Sequence, residues 1–369
     1  MTTTITNIVG ALQQLAPLNL AAAWDNVGLL LGDSKTSAPR VMTCLTVTPD
    51  VVAEAIASQA SLIVSHHPIL FRAIKRLTTA TPEGRMLLDL VHAGISVYSA
   101  HTAYDNCVGG INDQLCESLG LSNVTPLRRQ DATRKCKVVV FVPNKDLGRV
   151  GDAMFAAGAG QIGQYRECSF RLAGTGTFFG TEGTNPTLGE KGRREEVAEW
   201  RLEVVCAEVD VERVLSAMRS AHSYEEPAYD VYSLRPERAN VGEGRIGDLA
   251  SPMKLGAFSG RVRSALAAST VQMVGSPERM VQRVALACGA AGEFLADARI
   301  ARADVFLTGE ARFHDSLAAE TEHIAMILPG HYATERFAME SLARWLAERF
   351  PGVKVWASER EHDPLVACG

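Results

Sequence analysis

The feature that most restricts this chain is a recurring texture: a short apolar, β-branched run, then a turn or polar cluster, then helical periodicity. That rhythm predicts strands alternating with helices, an α/β chain. Strands are expected at VMTCLTV (41–47), SLIVS (61–65) and ISVYSA (95–100), with helices such as EGRMLLDLVHAG between them. A second block opens at KVVVFVP (137–143) and a helical DLGRVGDAMFAAGAG, followed by a glycine-rich, hairpin-like LAGTGTFFGTEG (172–183). Its second half repeats the rhythm with WRLEVVCAEVD (200–210), VERVLSAMRSAH (211–222) and AYDVYSL (228–234). Such a βαβ…βαβ unit folds as a ferredoxin-like α+β module. After a loop, RPERANVGEGRIGDLA, α/β texture returns with VQMVG (271–275), DVFLTGE (304–310) and HIAMILPG (323–330). The last long segment, TERFAMESLARWLAERF (334–350), reads as an amphipathic helix.

At 369 residues the chain exceeds what one core usually serves. Two or more structural units are expected, and the texture marks three blocks, roughly 1–133, 134–240 and 241–369. Hydrophobic residues at 47% and charged residues at 21% exclude a long disordered or fibrous region. The net charge is −5 and the densest basic cluster, Lys191, Arg193 and Arg194, lies among acidic neighbours, so no footprint for nucleic acid is visible. The start, MTTTITNIVGALQQLAP, lacks a basic n-region and no apolar run is long enough to span a bilayer. A cytoplasmic protein without membrane partners is expected. Eight cysteines (Cys44, Cys107, Cys116, Cys136, Cys168, Cys206, Cys288, Cys368) form no CxxC pair and read as reduced.

Chemistry concentrates where the apolar runs end. SLIVS exits into His66 and His67, with Pro68 stopping any further ladder, and a strand-to-loop transition can turn both imidazoles toward one cavity. ISVYSA exits into His101, with Asp105 four residues on. Taken alone, the first pair reads more readily as two loop histidines, and the second equally well as a solvated turn. HIAMILPG exits into His331 and Glu335, whose i,i+4 spacing on a helix puts both side chains on one face. The helix dipole alone accounts for Glu335 at that position but not for His331.

Together these clusters supply four imidazoles and two carboxylates at strand C-termini, where open α/β sheets place ligand sites. Six ligands exceed what one tetrahedral zinc with an open position uses, so a dinuclear site is expected. Imidazole and carboxylate donors accept zinc, iron, manganese or cobalt. A fourth exit, FLTGEARFHDSLAAE, offers Thr308, Glu310, His314 and Asp315, of which Glu310 and His314 are candidates for orienting water or moving its proton. His314 reads equally as a helix-face residue. His92, His222, His323 and His362 lack a carboxylate constellation and are assigned no site role.

WDNVGLLLGD (24–33), SHHPILF, AHTAYD…GGINDQL (100–115) and TGEARFHD…GHYATE together resemble the NIF-three-like family of dinuclear-metal proteins, whose members are also named GTP cyclohydrolase 1 type 2 homologues. The resemblance spans nearly the whole chain. It implies that His66, His67, His101, Asp105, His331 and Glu335 hold two divalent ions per subunit. Ala103 and Tyr104 depart from the Asn-Leu common in the family. The segment HSYEEPAYDVYSL (222–234) is similar to the PII/CutA-like insert of longer members, and GRIGDL (245–250) to its exit, so the resemblance implies a discontinuous α/β core from residues 1–133 and 241–369 with an inserted domain at 134–240. The resemblance further implies a toroidal homohexamer and hydrolysis of a purine nucleotide, the ring opening of GTP. No GxxxxGK[ST] phosphate loop is present. Against the hydrolase stands a non-catalytic alternative: a metal-binding, metal-delivery or regulatory protein whose insert senses a small molecule.

Overall fold

A computed structural model describes residues 2–131, 134–235 and 238–367. The chain divides into two compact units, one from residues 1–130 and 240–369, the other from residues 131–239. The fold is mixed α/β, with three sheets among the described residues.

The first unit holds two of them. In the five-stranded sheet, Lys354–Ala357, Arg40–Cys44, Leu62–Ser65 and Ser96–Ser99 run parallel, and Gly28–Leu31 closes one edge antiparallel. Every residue of Leu62–Ser65 and Ser96–Ser99 is buried, as a parallel sheet covered on both faces requires. In the six-stranded sheet, Ala325–Leu328, Val305–Thr308 and Met280–Ala287 are parallel neighbours. Gln272–Val274 and Arg238–Lys254 flank them antiparallel, and Ser122–Asp131 completes the edge.

One hydrophobic core joins both sheets, with Leu62, Val64 and Tyr98 from the first and Leu286, Leu307 and Ile327 from the second. The helix His331–Arg349 sends Ala338, Met339 and Leu342 into that core. A hydrogen bond of 2.7 Å from Thr43 Oγ1 to the Met339 carbonyl ties it to the first sheet.

The second unit is a four-stranded antiparallel sheet of Ser169–Phe179, Arg194–Ala207, Lys135–Pro143 and Tyr229–Ser233, in that spatial order. Helices Leu147–Ala156 and Val211–Ala221 pack Val150, Met154, Val214 and Met218 with Val138, Val140, Leu202 and Val204. Chain order strand–helix–strand–strand–helix–strand with this sheet order is the ferredoxin-like arrangement.

Two segments differ from the reading of their sequence. RPERANVGEGRIGDLA, expected as a loop, mostly lies in the strand Arg238–Lys254; its Pro236 and Glu237 fall outside the described residues. Its glycines serve close approach rather than turning: a Cβ at Gly242, whose φ is +151°, would sit 2.2 Å from the Arg128 carbonyl oxygen. LAGTGTFFGTEG is likewise no hairpin in itself but mostly one strand, Ser169–Phe179, paired along its length with Arg194–Ala207. Seven cysteines are free thiols and Cys368 lies outside the described residues.

Candidate metal centre

The strand Leu62–Ser65 continues its ladder by two residues, His66 N donating to the Cys44 carbonyl and His67 N to the Leu45 carbonyl. Ser65 Oγ and Ser99 Oγ then bind the His67 and His66 carbonyls, so the chain turns out of the sheet with both imidazoles fixed. His101 opens the helix His101–Asn106 at a φ of +31°, a conformation that β-carbon sterics disfavour. Asp105 sits one turn further on the same helix. His331 follows Gly330, whose φ is +102°, and begins the helix that carries Glu335.

These six side chains converge although Asp105 and His331 are 226 positions apart in the chain. Donor atoms of His66, His67 and His101 lie within 4.8 Å of one another, as do those of His67, His331 and Glu335. Glu335 Oε2 is 3.1 Å from His67 Nε2 and 3.0 Å from His331 Nε2, while its Oε1 is 3.9 Å from His66 Nε2. Asp105 Oδ1 is 3.5 Å from the same His66 nitrogen. The two oxygens of Glu335 thus face different donor groups.

The spacing fits cations. His67 Nε2 and His331 Nε2 are 3.3 Å apart. Ligand atoms at about 2.0–2.1 Å from one ion lie roughly 3.0 to 3.4 Å from each other at octahedral to tetrahedral angles. His66 is 2% exposed, and among the described residues neither of its ring nitrogens has a hydrogen-bond partner. A buried imidazole so bare is costly unless a ligand meets it. Burial holds His66 well below the usual histidine range, so the ring is neutral with a lone pair to give. Gly289, at the exit of Met280–Ala287, keeps the floor open, since a Cβ there would meet Glu335 Oε1 at 2.3 Å.

The acids and bases are strained against each other. Burial, reinforced by the Glu335 charge, pushes the Asp105 carboxyl up to about 7. Burial also opposes ionisation of Glu335, yet hydrogen bonds from His331 and His67 outweigh it and hold Glu335 below the ordinary range. His331 is desolvated too, but its bonds to Glu335 and Glu310 raise it to about 9. A dication would relieve the Asp105–Glu335 repulsion and replace the His331 proton.

The outer ring nitrogens are also occupied. His101 Nδ1 donates to Asp25 Oδ1 at 2.8 Å, and Asp25 Oδ2 accepts from Thr102 N at 3.1 Å. His331 Nδ1 donates to Glu310 Oε1 at 3.0 Å, and His67 Nδ1 meets Thr46 Oγ1 at 2.7 Å. A carboxylate on Nδ1 fixes the tautomer that leaves Nε2 free to bind metal. Cys288 Sγ donates to Asp105 Oδ1 at 3.2 Å.

Glu310 therefore reaches the cluster. His314 does not: it is exposed, stacks edge-on with Phe313, and among the described residues has no hydrogen bond or ion pair. Asp315 accepts from Arg312 N at the start of its own helix, and Thr308 Oγ1 donates to the Gly289 carbonyl, bracing the floor. His222 is held in the second unit by the Phe141 carbonyl and Tyr224 N. Asp25, Thr46 and Cys288 escape the sequence reading. Asp25 lies in WDNVGLLLGD, and Cys288 follows the apolar run MVQRVALA as the histidines follow theirs.

Fold and site define a class: an α/β chain with a largely buried histidine–carboxylate cluster that could hold a metal ion. The chain belongs to the Duf34/NIF3 (NGG1p interacting factor 3) family, whose profile matches residues 3–364. It is 36% identical over 361 residues to a GTP cyclohydrolase 1 type 2 homolog of Halalkalibacterium halodurans, covering 97% of each chain. A Mycobacterium bovis protein of the same name is 38% identical over 341 residues, with 91% of this chain and 89% of that one covered. A Bacillus cereus protein related to NIF3 superposes with a TM-score of 0.78 at 33% identity over 100% of both chains. A Staphylococcus aureus protein gives a TM-score of 0.84 at 27% identity, covering 100% of this chain and 99% of that one. Among the described residues no helix is long and apolar enough to cross a membrane.

Proposed function

We propose that this protein is a metal-dependent hydrolase that holds two divalent ions on His66, His67, His101, Asp105, His331 and Glu335 and acts on a purine nucleotide. The observation that carries the reading is Glu335, whose two oxygens address separate donor groups as a bridging carboxylate does. Two divalent ions held there would supply Lewis acidity and would lower the pKa of bound water. Asp25 and Glu310 lock the imidazoles of His101 and His331, and Glu310, half exposed, is placed to pass a proton between the site and solvent. His67 and His331 are about a quarter and a third exposed, so a substrate has a way in. The nucleotide comes from the name of the relatives, GTP cyclohydrolase 1 type 2 homolog.

The test is turnover of GTP with zinc, iron, manganese or cobalt added in turn. Product formation that disappears in Glu335→Gln supports the hydrolase; tight metal binding without turnover by any ion defeats it. The second reading, a metal carrier or regulator, draws on that same exposure of His67 and His331, which also permits exchange of ions, and on the second unit. There a groove of about 720 Å³ is lined by Leu172, Phe179, Leu188, Glu199, Arg201 and Tyr224, room for a small molecule. The likeness of this unit, residues 134–240, to PII and CutA proteins belongs to that reading. Its removal should leave a folded, metal-binding core from 1–133 and 241–369. A homohexameric toroid and a cytoplasmic address complete the proposal, and light scattering on the purified chain tests the first of these.

A further inference from the structure

We propose that Trp24 and Phe71 form the subsite on which the flat base of a purine nucleotide stacks beside the metal centre, while Arg72, Lys75 and Arg76 supply positive charge for its phosphate. The inference rests on the nucleotide reading above and assigns it residues. Of the chain's four tryptophans, Trp24 alone is exposed, at 63%, and Phe71 is 51% exposed. The two rings meet edge to face, 5.9 Å between centroids and 67° between planes. Each also stands against a candidate ligand, the His101 ring lying 6.0 Å from Trp24 and 6.5 Å from Phe71. Folding has thus left two largely exposed aromatic rings beside His101.

The pair is anchored rather than loose. Asp25, next to Trp24, is fixed by His101 and Thr102, and Ala22 N donates to Thr102 Oγ1 at 2.9 Å. Asn26 Nδ2 donates to the Leu70 carbonyl at 2.6 Å, stitching the segment that carries Trp24 to the one that carries Phe71. A wall ordered in advance spends little entropy on binding. Trp24 Nε1 has no hydrogen bond among the described residues, which leaves an indole N–H for the polar edge of a ring. Base–aromatic stacking accepts any conjugated ring, because every base has a π-face.

Charge narrows the ligand. Pro68–Pro82 contains Arg72, Lys75 and Arg76 and no carboxylate. All three cations are exposed and have no ion pair among the described residues. Candidate metal ligands, one of the two rings and the unpaired cations lie within residues 66–76, to which Asn26 ties the Trp24 segment, and the set matches a ligand that is flat at one end and anionic at the other.

The experiment is calorimetric titration of the full zinc-loaded chain with GMP, guanosine and ribose 5-phosphate, with zinc content measured for each variant. Trp24→Ala should weaken GMP at least about tenfold and leave ribose 5-phosphate unchanged. Trp24→Phe, which keeps a π-face, should stay within about threefold of wild type. The double variant Arg72→Ala/Lys75→Ala should weaken GMP and ribose 5-phosphate and spare guanosine. Unchanged GMP affinity in Trp24→Ala overturns the proposal, as does wild-type protein that ignores GMP. A Trp24→Ala chain that changes oligomeric state but not GMP affinity overturns it too, assigning the pair to a subunit contact. Trp24-dependent GMP binding without turnover of GTP by any ion sinks the hydrolase and keeps the subsite; turnover with a KM indifferent to Trp24→Ala does the reverse.

Discussion

Two buried polar groups in the first unit, Glu54 and His66, are 8% and 2% exposed and could hardly be treated more differently. Glu54 accepts four hydrogen bonds, from Trp356 Nε1, Ser358 Oγ, Glu359 N and Arg360 N, and so clamps the C-terminal segment to the helix Pro49–Ala57. The His66 ring accepts and donates none among the described residues. A saturated buried charge is architecture; a bare buried base among carboxylates and further imidazoles is a place for a ligand. The difference separates residues that hold the fold from residues that the fold holds ready.

The comparison breaks most visibly at Glu54. Glu54→Leu strands four donors and should cost about 3 kcal/mol or more in urea denaturation. Metal bound per folded chain should not change. Next comes Glu335→Gln, which keeps size and helix propensity but removes the negative charge shared between the two donor groups. Metal affinity should fall at least the roughly 10–100-fold typical even of outer changes, read as metal content after dialysis against a weak chelator. Glu340, whose side chain is 59% exposed and among the described residues pairs only with Arg336 at 3.6 Å, is the control, and Glu340→Gln should alter neither metal content nor melting temperature.

Asp25→Asn tests a subtler element. The amide still fills the space but no longer demands a proton on His101 Nδ1, so metal affinity should drop about tenfold. Nitrogen NMR should show a mixed His101 tautomer where the wild type shows one. The smallest effect is a pH dependence. Burial alone would raise the Glu54 carboxyl, yet hydrogen bonds led by Ser358 hold it below its ordinary value of 4.5. A group depressed in the fold binds fewer protons there than in the unfolded chain, so its stabilisation is present above about pH 4.5 and fades as pH falls through the folded value. Melting temperature against pH should therefore decline on the acid side in wild type, and less steeply in Glu54→Gln.

The candidate histidines were legible because each stands at the exit of an apolar run, and the end of a parallel strand is where such a sheet exposes side chains. His331 and Glu335 were legible as a pair through helical spacing alone. Asp25 was not, since it reaches His101 across 76 residues and no periodicity links a turn to a distant helix start. Arg238–Lys254 escaped because its glycines resemble turn chemistry, whereas they admit a neighbouring backbone. Proximity in sequence misled at His314, four residues past Glu310 yet exposed on its helix.

The central claim is that Glu335 stands between two ions. Diffraction from metal-loaded crystals, recorded at the absorption edge of the added ion, tests it directly. The account predicts two anomalous peaks per chain, about 3.5–4 Å apart, one near His67 and His331, the other near His66 and Asp105, with a Glu335 oxygen at each. A single peak, or two peaks both remote from Glu335, would contradict it.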